Sequence, residues 1–397
     1  MTPSYDVVVV GGGPAGAAAA LALAGRGRGV LLADAPGGPP AIGEALPAAA
    51  RMLLRDLGAA GTVPGDGHLP CYGNRSVWGS AAPASVDSIR DPHGPGWHLD
   101  RPLFDRRLRE AAASAGAEVR TATARPVRRH PDGTWTLALH GGAGPGAVVR
   151  CRWLVDATGR RAAVATTHGA RRLVGDRLVA LHLVLGPGDG VATDSTTLVE
   201  AGPDGWWYSA PLPGGRLLLA FFTDGDLPAA RGGAEAFRHR LAVTGPTAAR
   251  AAGHRFPSCA SSRSSASSAS LAAPVRAPAH TARLDRVHGE GWTAAGDAAA
   301  AFDPLSSQGI LTALWTGRAA GLAVDAALAG DPYALDRYAT AVTGVVIAYR
   351  RNHAAHYGLE RRWPARPFWR RRHPSAPAVP APDPFVSRPA GPAAAAR

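Results

Sequence analysis

Residues Tyr5–Ala24 read YDVVVVGGGPAGAAAALALA, and this stretch decides the fold. Tyr5–Val10 is short, β-branched and continuously apolar, the mark of a strand buried on both faces. Gly11-Gly12-Gly13-Pro14-Ala15-Gly16 follows, and then an Ala/Leu-rich helix to Ala24. A second buried strand, Val30–Ala33, ends at Asp34, 18 residues past Gly16. The GxGxxG pattern thus lies between a strand and a helix, with an acid at the end of the next strand. Gly11 permits the tight turn, Gly13 lets backbone approach a pyrophosphate, and Gly16 lets helix and strand pack closely. The helix mouth at Gly13 and Ala15 offers free N–H groups and the positive dipole end to phosphate. Asp34 is suited to accept from a ribose diol. Together these features imply a bound dinucleotide.

Working outward, Gly43-Glu44-Ala45-Leu46-Pro47 lies just after the second strand, and Trp97–Asp105 (WHLDRPLFD) opens a helix read over Pro102–Ala115. Thr134–Leu139 alternates like a strand. Arg152–Val155 is a short buried strand ending in Asp156-Ala157-Thr158-Gly159. Another strand-like run, Gly291–Ala295, ends in Gly296-Asp297-Ala298-Ala299. GxGxxG does not recur in a strand–helix context, so no separate NAD(P)H domain is evident.

Residues 296–314, GDAAAAFDPLSSQGILTAL, place a second bare helix mouth far along the chain. Pro304 fixes the loop. Ser306 or Ser307 is expected to cap the helix, with the amides of Gln308, Gly309 and Ile310 pointing outward. Gly309 removes a Cβ from the approach.

Residues 173–224 carry LVALHLVL, GWWYSAP and RLLLAFFTD, which predict a mixed or antiparallel sheet separate from the N-terminal layer. Trp206, Trp207 and Tyr208 are candidates to line a substrate pocket. In an alternating strand Trp206 and Tyr208 share one face and Trp207 takes the other, so one set is core. Gly309–Ala329 and Tyr333–Arg351 are predicted helices. Ser258–Ser270 is low-complexity and expected to be a loop or frayed helix, and the Pro-rich end is expected to be a disordered tail.

Composition bounds the remaining possibilities. The chain has 397 residues, is 46% apolar, and carries a net charge of +13, with arginine as its only strongly basic residue type. Those arginines are scattered among acids without a nucleic-acid-binding signature, so no nucleic-acid partner is expected. Cys71, Cys151 and Cys259 form no CxxC or zinc spacing, which fits a reducing cytoplasm. Glycines and a proline interrupt the apolar run Val7–Ala24, so it is read as neither signal peptide nor membrane span. His353, His356 and Glu360 share a helical face but suggest no fourth ligand, and no metal is expected. Asp285, Arg286 and His288 read as an exposed turn.

With these motifs in place, the chain from about Tyr5 to Trp369 resembles flavoprotein monooxygenases of the p-hydroxybenzoate hydroxylase type, and more closely their tryptophan halogenase-like branch. The stretches GEALPAAARMLLRDLG, GWWYSAPLPGGR, GDAAAAFDPLSSQGI and ERRWPARPFWRRR look like flavoprotein maturases of the glycine-oxidase and lysine-oxidase type, which modify a tryptophan in a partner protein.

This resemblance implies an α/β architecture: a discontinuous Rossmann-type FAD-binding domain (1–70, 98–165, 275–330) and an inserted β-rich substrate domain (71–97, 166–274). A C-terminal helical cap (331–372) and a tail (373–397) complete it. It implies FAD as cofactor, with NAD(P)H or a separate flavin reductase as electron donor, and O2. Glu44, Ala45, Arg101 and Asp297 would join the glycine motif in holding FAD, and the loop with Pro304, Ser306 and Ser307 would pass the flavin ring. Tryptophan halogenases carry a catalytic lysine and a glutamate in that loop; this chain has no lysine, and Ser306 stands where the glutamate would be. Halogenation is therefore disfavoured and aromatic hydroxylation favoured. The rivals are an alkene-saturating reductase of the geranylgeranyl-reductase type and a maturation chaperone holding FAD for structure. The substrate is expected to be an aromatic small molecule or an acidic partner protein. For the latter, Tyr349–Arg372, with eight arginines to one glutamate and Trp363, Phe368 and Trp369 interleaved, is a candidate docking surface, although a solvated basic helix end that packs two tryptophans is the favoured reading.

Overall fold

The computed structural model describes residues 2–37, 44–62, 65–141, 147–188, 194–258 and 272–373. The segment Cys259–Ser270 and the tail from residue 374 lie outside the described residues. Val7, Val8 and Val9 are fully buried in the strand Ser4–Val10, as a continuously apolar run requires when both faces are covered. This strand is central to an eight-stranded sheet among the described residues. Its parallel part runs Trp292–Ala294, Ala147–Asp156, Ser4–Val10, Val30–Asp34, Glu118–Thr121. Two antiparallel strands, Thr123–Arg129 and Trp135–His140, extend it. The strand expected over Arg152–Val155 starts five residues earlier, at Ala147, because its first half pairs with Trp135–His140.

A second sheet, of seven strands among the described residues, runs Val275–Pro278, Leu178–Leu185, Arg216–Asp224, Gly205–Leu212, Thr196–Gly202, Gly73–Val77, Ala84–Asp87. It is antiparallel except where Gly73–Val77 joins Thr196–Gly202. The mixed sheet read from residues 173–224 is therefore present, and it takes one strand pair from much earlier in the chain.

Two helices decide where the ends of the first sheet lead. Pro14–Ala24 is almost wholly buried, with Ala17–Ala20 fully so. Gly309–Leu328 crosses it at very short range: a Cβ on Gly317 would lie 2.1 Å from the Ala15 carbonyl oxygen, and one on Gly321 would lie 2.9 Å from that of Ala19. The four-residue spacing of both pairs puts them on one face of each helix. Only glycine permits this approach of backbone to backbone.

The last long helix, Ala334–Leu359, runs eight residues beyond the expected end at Arg351. Its final turns read as polar, yet fully buried Tyr357 anchors them, and the Trp78 indole donates to the His356 carbonyl at 2.8 Å. Among the described residues, no helix is long and apolar enough to cross a membrane.

Candidate active site

The glycine turn is built by close approach. Gly11 has φ +105°, and a Cβ there would sit 2.3 Å from the Ala157 carbonyl oxygen. A Cβ on Gly16 would sit 1.8 Å from the Gly11 carbonyl oxygen. Gly13 is the opposite case: nothing lies within 4 Å of its Cβ position. It precedes the helix in extended backbone with no side-chain cap, so the approach to this helix mouth is open at Gly13. Asp34 closes the turn from the next strand. Its carboxylate accepts the Gly12 N–H at 2.8 Å and lies 3.3 Å from the Arg109 guanidinium, which also donates to the Gly12 carbonyl at 3.1 Å. Neither Gly12 nor Arg109 stood out in the sequence, since their roles depend on a helix ninety-odd residues downstream.

The other turns converge here. Asp156 is fully buried. It accepts from the Thr158 N–H and hydroxyl at 3.0 and 2.7 Å and from the Ala165 N–H at 2.8 Å, which shapes the Asp156–Gly159 turn against Gly11. Gly296, at φ +62°, presses on the helix: its Cβ position is 2.6 Å from the Ala15 methyl, and its N–H donates to the Thr316 hydroxyl at 2.9 Å. Asp297 stays part-exposed, 3.5 Å from Arg160. Glu44 and Ala45 enter through a short strand pairing: Ala45 faces His98, and the Glu44 carbonyl accepts the Leu99 N–H at 2.8 Å. Arg101 opens the helix Arg101–Ser114, two turns ahead of Arg109, and bonds Asp105 at 3.1 Å.

At the second mouth the structure corrects the capping expectation. Neither Ser306 nor Ser307 caps the long helix; Gln308 occupies the cap position without a side-chain bond. The Ser306 hydroxyl instead donates to the Asp303 carbonyl at 3.0 Å, and Ser307 adopts a left-handed φ of +50°. Asp303 caps the short turn Pro304–Ser306. Ile310 is buried, whereas Gln308 and Gly309 are exposed, and nothing lies within 4 Å of the Gly309 Cβ position. Eight residues separate Gly309 from the crossing at Gly317, about 12 Å along the helix. Gly13 lies two residues from the same crossing on the other helix, so the two open mouths belong to helices locked together at Ala15. Along the flank of the same helix, Met52, Leu53, Leu311, Thr312 and Trp315 line a cavity of about 500 Å3.

Trp206 and Trp207 are corrected from pocket lining to core. Both are buried, on opposite faces of the strand Gly205–Leu212. Trp206 stacks on Phe222 at 4.0 Å and donates to the Tyr357 hydroxyl at 2.9 Å; Trp207 packs edge-on to Phe237 at 5.0 Å. Both faces of this sheet are covered, so the alternation leaves neither indole free. Tyr208 remains half-buried. Burial, reinforced by the nearby Glu44 carboxylate, holds its hydroxyl well above the usual value. Cys71 lies 3.8 Å from the Thr197 hydroxyl. His98 is fully buried, with neither ring nitrogen in a well-formed hydrogen bond, and burial pushes its pKa down to about 4.

The basic C-terminal run also folds inward. Phe368 and Trp369 are fully buried, Arg372 pairs with buried Asp224 at 2.7 Å, Arg371 bridges Asp224 and Asp226, and Arg362 pairs with buried Glu360. Trp363 is part-buried against Trp369. His353 faces Asp303 at 3.2 Å, and His356 meets the Asn352 carbonyl at 3.0 Å. Among the described residues no cluster of His, Cys, Asp and Glu is placed to hold a metal. Asp285 and Arg286 are exposed, with Asp285 paired to Arg171, while His288 is part-buried.

Residues 4–205 match the family model described as FAD binding domain. The chain belongs to the FAD binding domain family. Its members' cofactor fits what these turns provide: two glycine mouths with open space before them, and an acid beside the first. The FAD-dependent oxidoreductase LodB, as that protein of Marinomonas mediterranea is named, is 28% identical over 377 residues, covering 93% of this chain and 97% of that protein. Among solved structures, the peptidyl tryptophan dihydroxylase QhpG, described as essential for tryptophylquinone cofactor biogenesis, has a TM-score of 0.73 and 25% identity, covering 95% of this chain and 80% of that one. The myxobacterial chondrochloren halogenase CndH has a TM-score of 0.80 at 20% identity, covering 93% and 86%, and shares the fold. The protein is an FAD-dependent oxidoreductase with a Rossmann-type FAD domain, a β-rich second sheet and C-terminal helices.

Proposed function

We propose that this FAD-dependent oxidoreductase is a monooxygenase that hydroxylates an electron-rich aromatic ring, and that the ring is a tryptophan side chain in a partner protein undergoing quinone cofactor maturation. The observation that carries the flavin reading is the locked crossing at Ala15, which fixes the helix opening at Gly13 against the helix opening at Gly309. One mouth suits a diphosphate. The other, backed by a twenty-residue helix, suits the negative charge of a reduced flavin ring. Pro304, Ser306, Ser307, Gln308, Gly309 and Ile310 would hold the ring side; Gly11, Gly13, Ala15, Gly16, Asp34, Glu44, Ala45, Arg101 and Asp297 the rest of the cofactor. When bound and reduced by NAD(P)H or a separate flavin reductase, FAD supplies the reaction with O2 that delivers an oxygen atom. The chain contributes orientation, charge stabilisation at the helix mouth and exclusion of water.

The protein-borne tryptophan is supported by the relatives. QhpG is a peptidyl tryptophan dihydroxylase, and LodB aligns with this chain almost end to end. The absence of lysine and the serine at position 306 favour hydroxylation over halogenation. Labelled O2 with a co-expressed acceptor protein tests the reading. Mass spectrometry is expected to find the label on an acceptor tryptophan, and unlabelled or halogenated product refutes it.

A further inference from the structure

We propose that His353 is a positioning residue for the loop Pro304–Gln308, acting through Asp303. The inference rests on the reading that this loop faces the flavin. Asp303 is 1% exposed, and every polar atom of it is engaged. One carboxylate oxygen accepts the Leu305 N–H at 2.9 Å. The other accepts the Tyr357 hydroxyl at 2.8 Å and lies 3.2 Å from His353 Nε2. The Asp303 N–H donates to the Tyr349 hydroxyl at 3.1 Å, which lies 2.8 Å from the Thr281 hydroxyl. The Asp303 carbonyl accepts from Ser306.

Tyr349, His353 and Tyr357 fall four residues apart on Ala334–Leu359, so one helical stripe delivers all three contacts. Their rings pack in a tilted row, with centroids 5.3 and 4.6 Å apart. The loop they hold is strained: Ser307 sits in the left-handed region, which costs a non-glycine residue about 1 kcal/mol and persists only where neighbours fix it. Tyr357 has a further tie to Trp206, and Arg372 lies over its ring, so it is locked into the core. His353 differs. It borders a cavity of about 540 Å3 together with Asp176, Arg177, Asp224, Arg350 and Arg371. Like Tyr349, which lines the same cavity, it is part-exposed, so a change there is felt by the loop with little loss of core packing.

The test compares His353→Leu, which removes the ring nitrogen, with His353→Gln, whose amide reaches the same point. In FAD-free protein, amide hydrogen exchange at Leu305–Gly309 is expected to quicken at least tenfold in His353→Leu and to return within threefold of wild type in His353→Gln, with Val7–Val9 unchanged. In FAD-loaded protein, the affinity of the oxidised flavin for sulfite is expected to fall about tenfold in His353→Leu and recover in His353→Gln. Unchanged exchange at Leu305–Gly309 overturns the role of His353. Quickened exchange with unaltered sulfite affinity supports the clamp on the loop and overturns the assignment of that loop to the flavin.

Discussion

Two of the contacts that hold the long C-terminal helices to the molecule are built on opposite principles. At Ala15/Gly317 and Ala19/Gly321, two helices meet backbone to backbone, and the contact depends on missing side chains. At Trp206, Tyr357, Phe368 and Trp369, large rings fill the space between the second sheet and the last helices, ringed by Arg372–Asp224 and Arg362–Glu360. The first contact is short and stiff, which suits a site that must keep two helix mouths in register. The second fills its space with large buried rings and gives stability, since each Å2 of buried apolar surface contributes about 25 cal/mol.

This contrast makes measurable claims. The largest effect is expected at the aromatic contact. Trp369→Ala removes a fully buried ring and its bond to the Gly202 carbonyl, and should cost about 4 kcal/mol in urea unfolding. A loss below 1 kcal/mol would mean that the aromatic cluster is not the stabilising one.

Acid should act next, at the strand that carries Glu44's neighbours. Buried His98 is neutral in the folded state, with its pKa down at about 4, against about 6.5 when unfolded. Between these values the unfolded chain binds the extra proton, so stability is complete above pH 6.5 and falls as pH drops towards 4, by about 3 kcal/mol in all. Urea midpoints at pH 7 and pH 4.5 in wild type and His98→Phe check this, because the substitution should remove that share of the slope.

At the glycine contact, Gly317→Leu drives a side chain into the Ala15 backbone and should cost about 3 kcal/mol. Unlike Trp369→Ala, it should also abolish FAD retention on gel filtration in the fraction that still folds. Gly13→Asp separates these two effects. Its Cβ meets nothing, so unfolding of the FAD-free protein should stay within about 0.5 kcal/mol, while the added charge weakens FAD binding roughly 100-fold by flavin fluorescence titration. The smallest effect is expected at Gly309→Ala. The position is open and helical, so unfolding should become about 0.5 kcal/mol harder without FAD, while FAD affinity falls.

The sequence alone determined the parts whose signals are local. YDVVVVGGGPAG announced strand, turn and helix because the period, the glycines and the acid at Asp34 all lie within thirty residues. GWWYSAP and RLLLAFFTD announced the second sheet for the same reason. Tertiary structure decided what depends on pairing distant segments. Gly317 looked like any glycine in a helix until Ala15 arrived beneath it. Trp206 and Trp207 looked equally suited to pocket or core until helices covered both faces of their strand. Asp303 and His353, fifty residues apart, carried no joint signal before a helical stripe brought them to 3.2 Å. Backbone periodicity is written in neighbouring residues, whereas burial and polar partnership belong to surfaces that exist only once the chain has closed on itself.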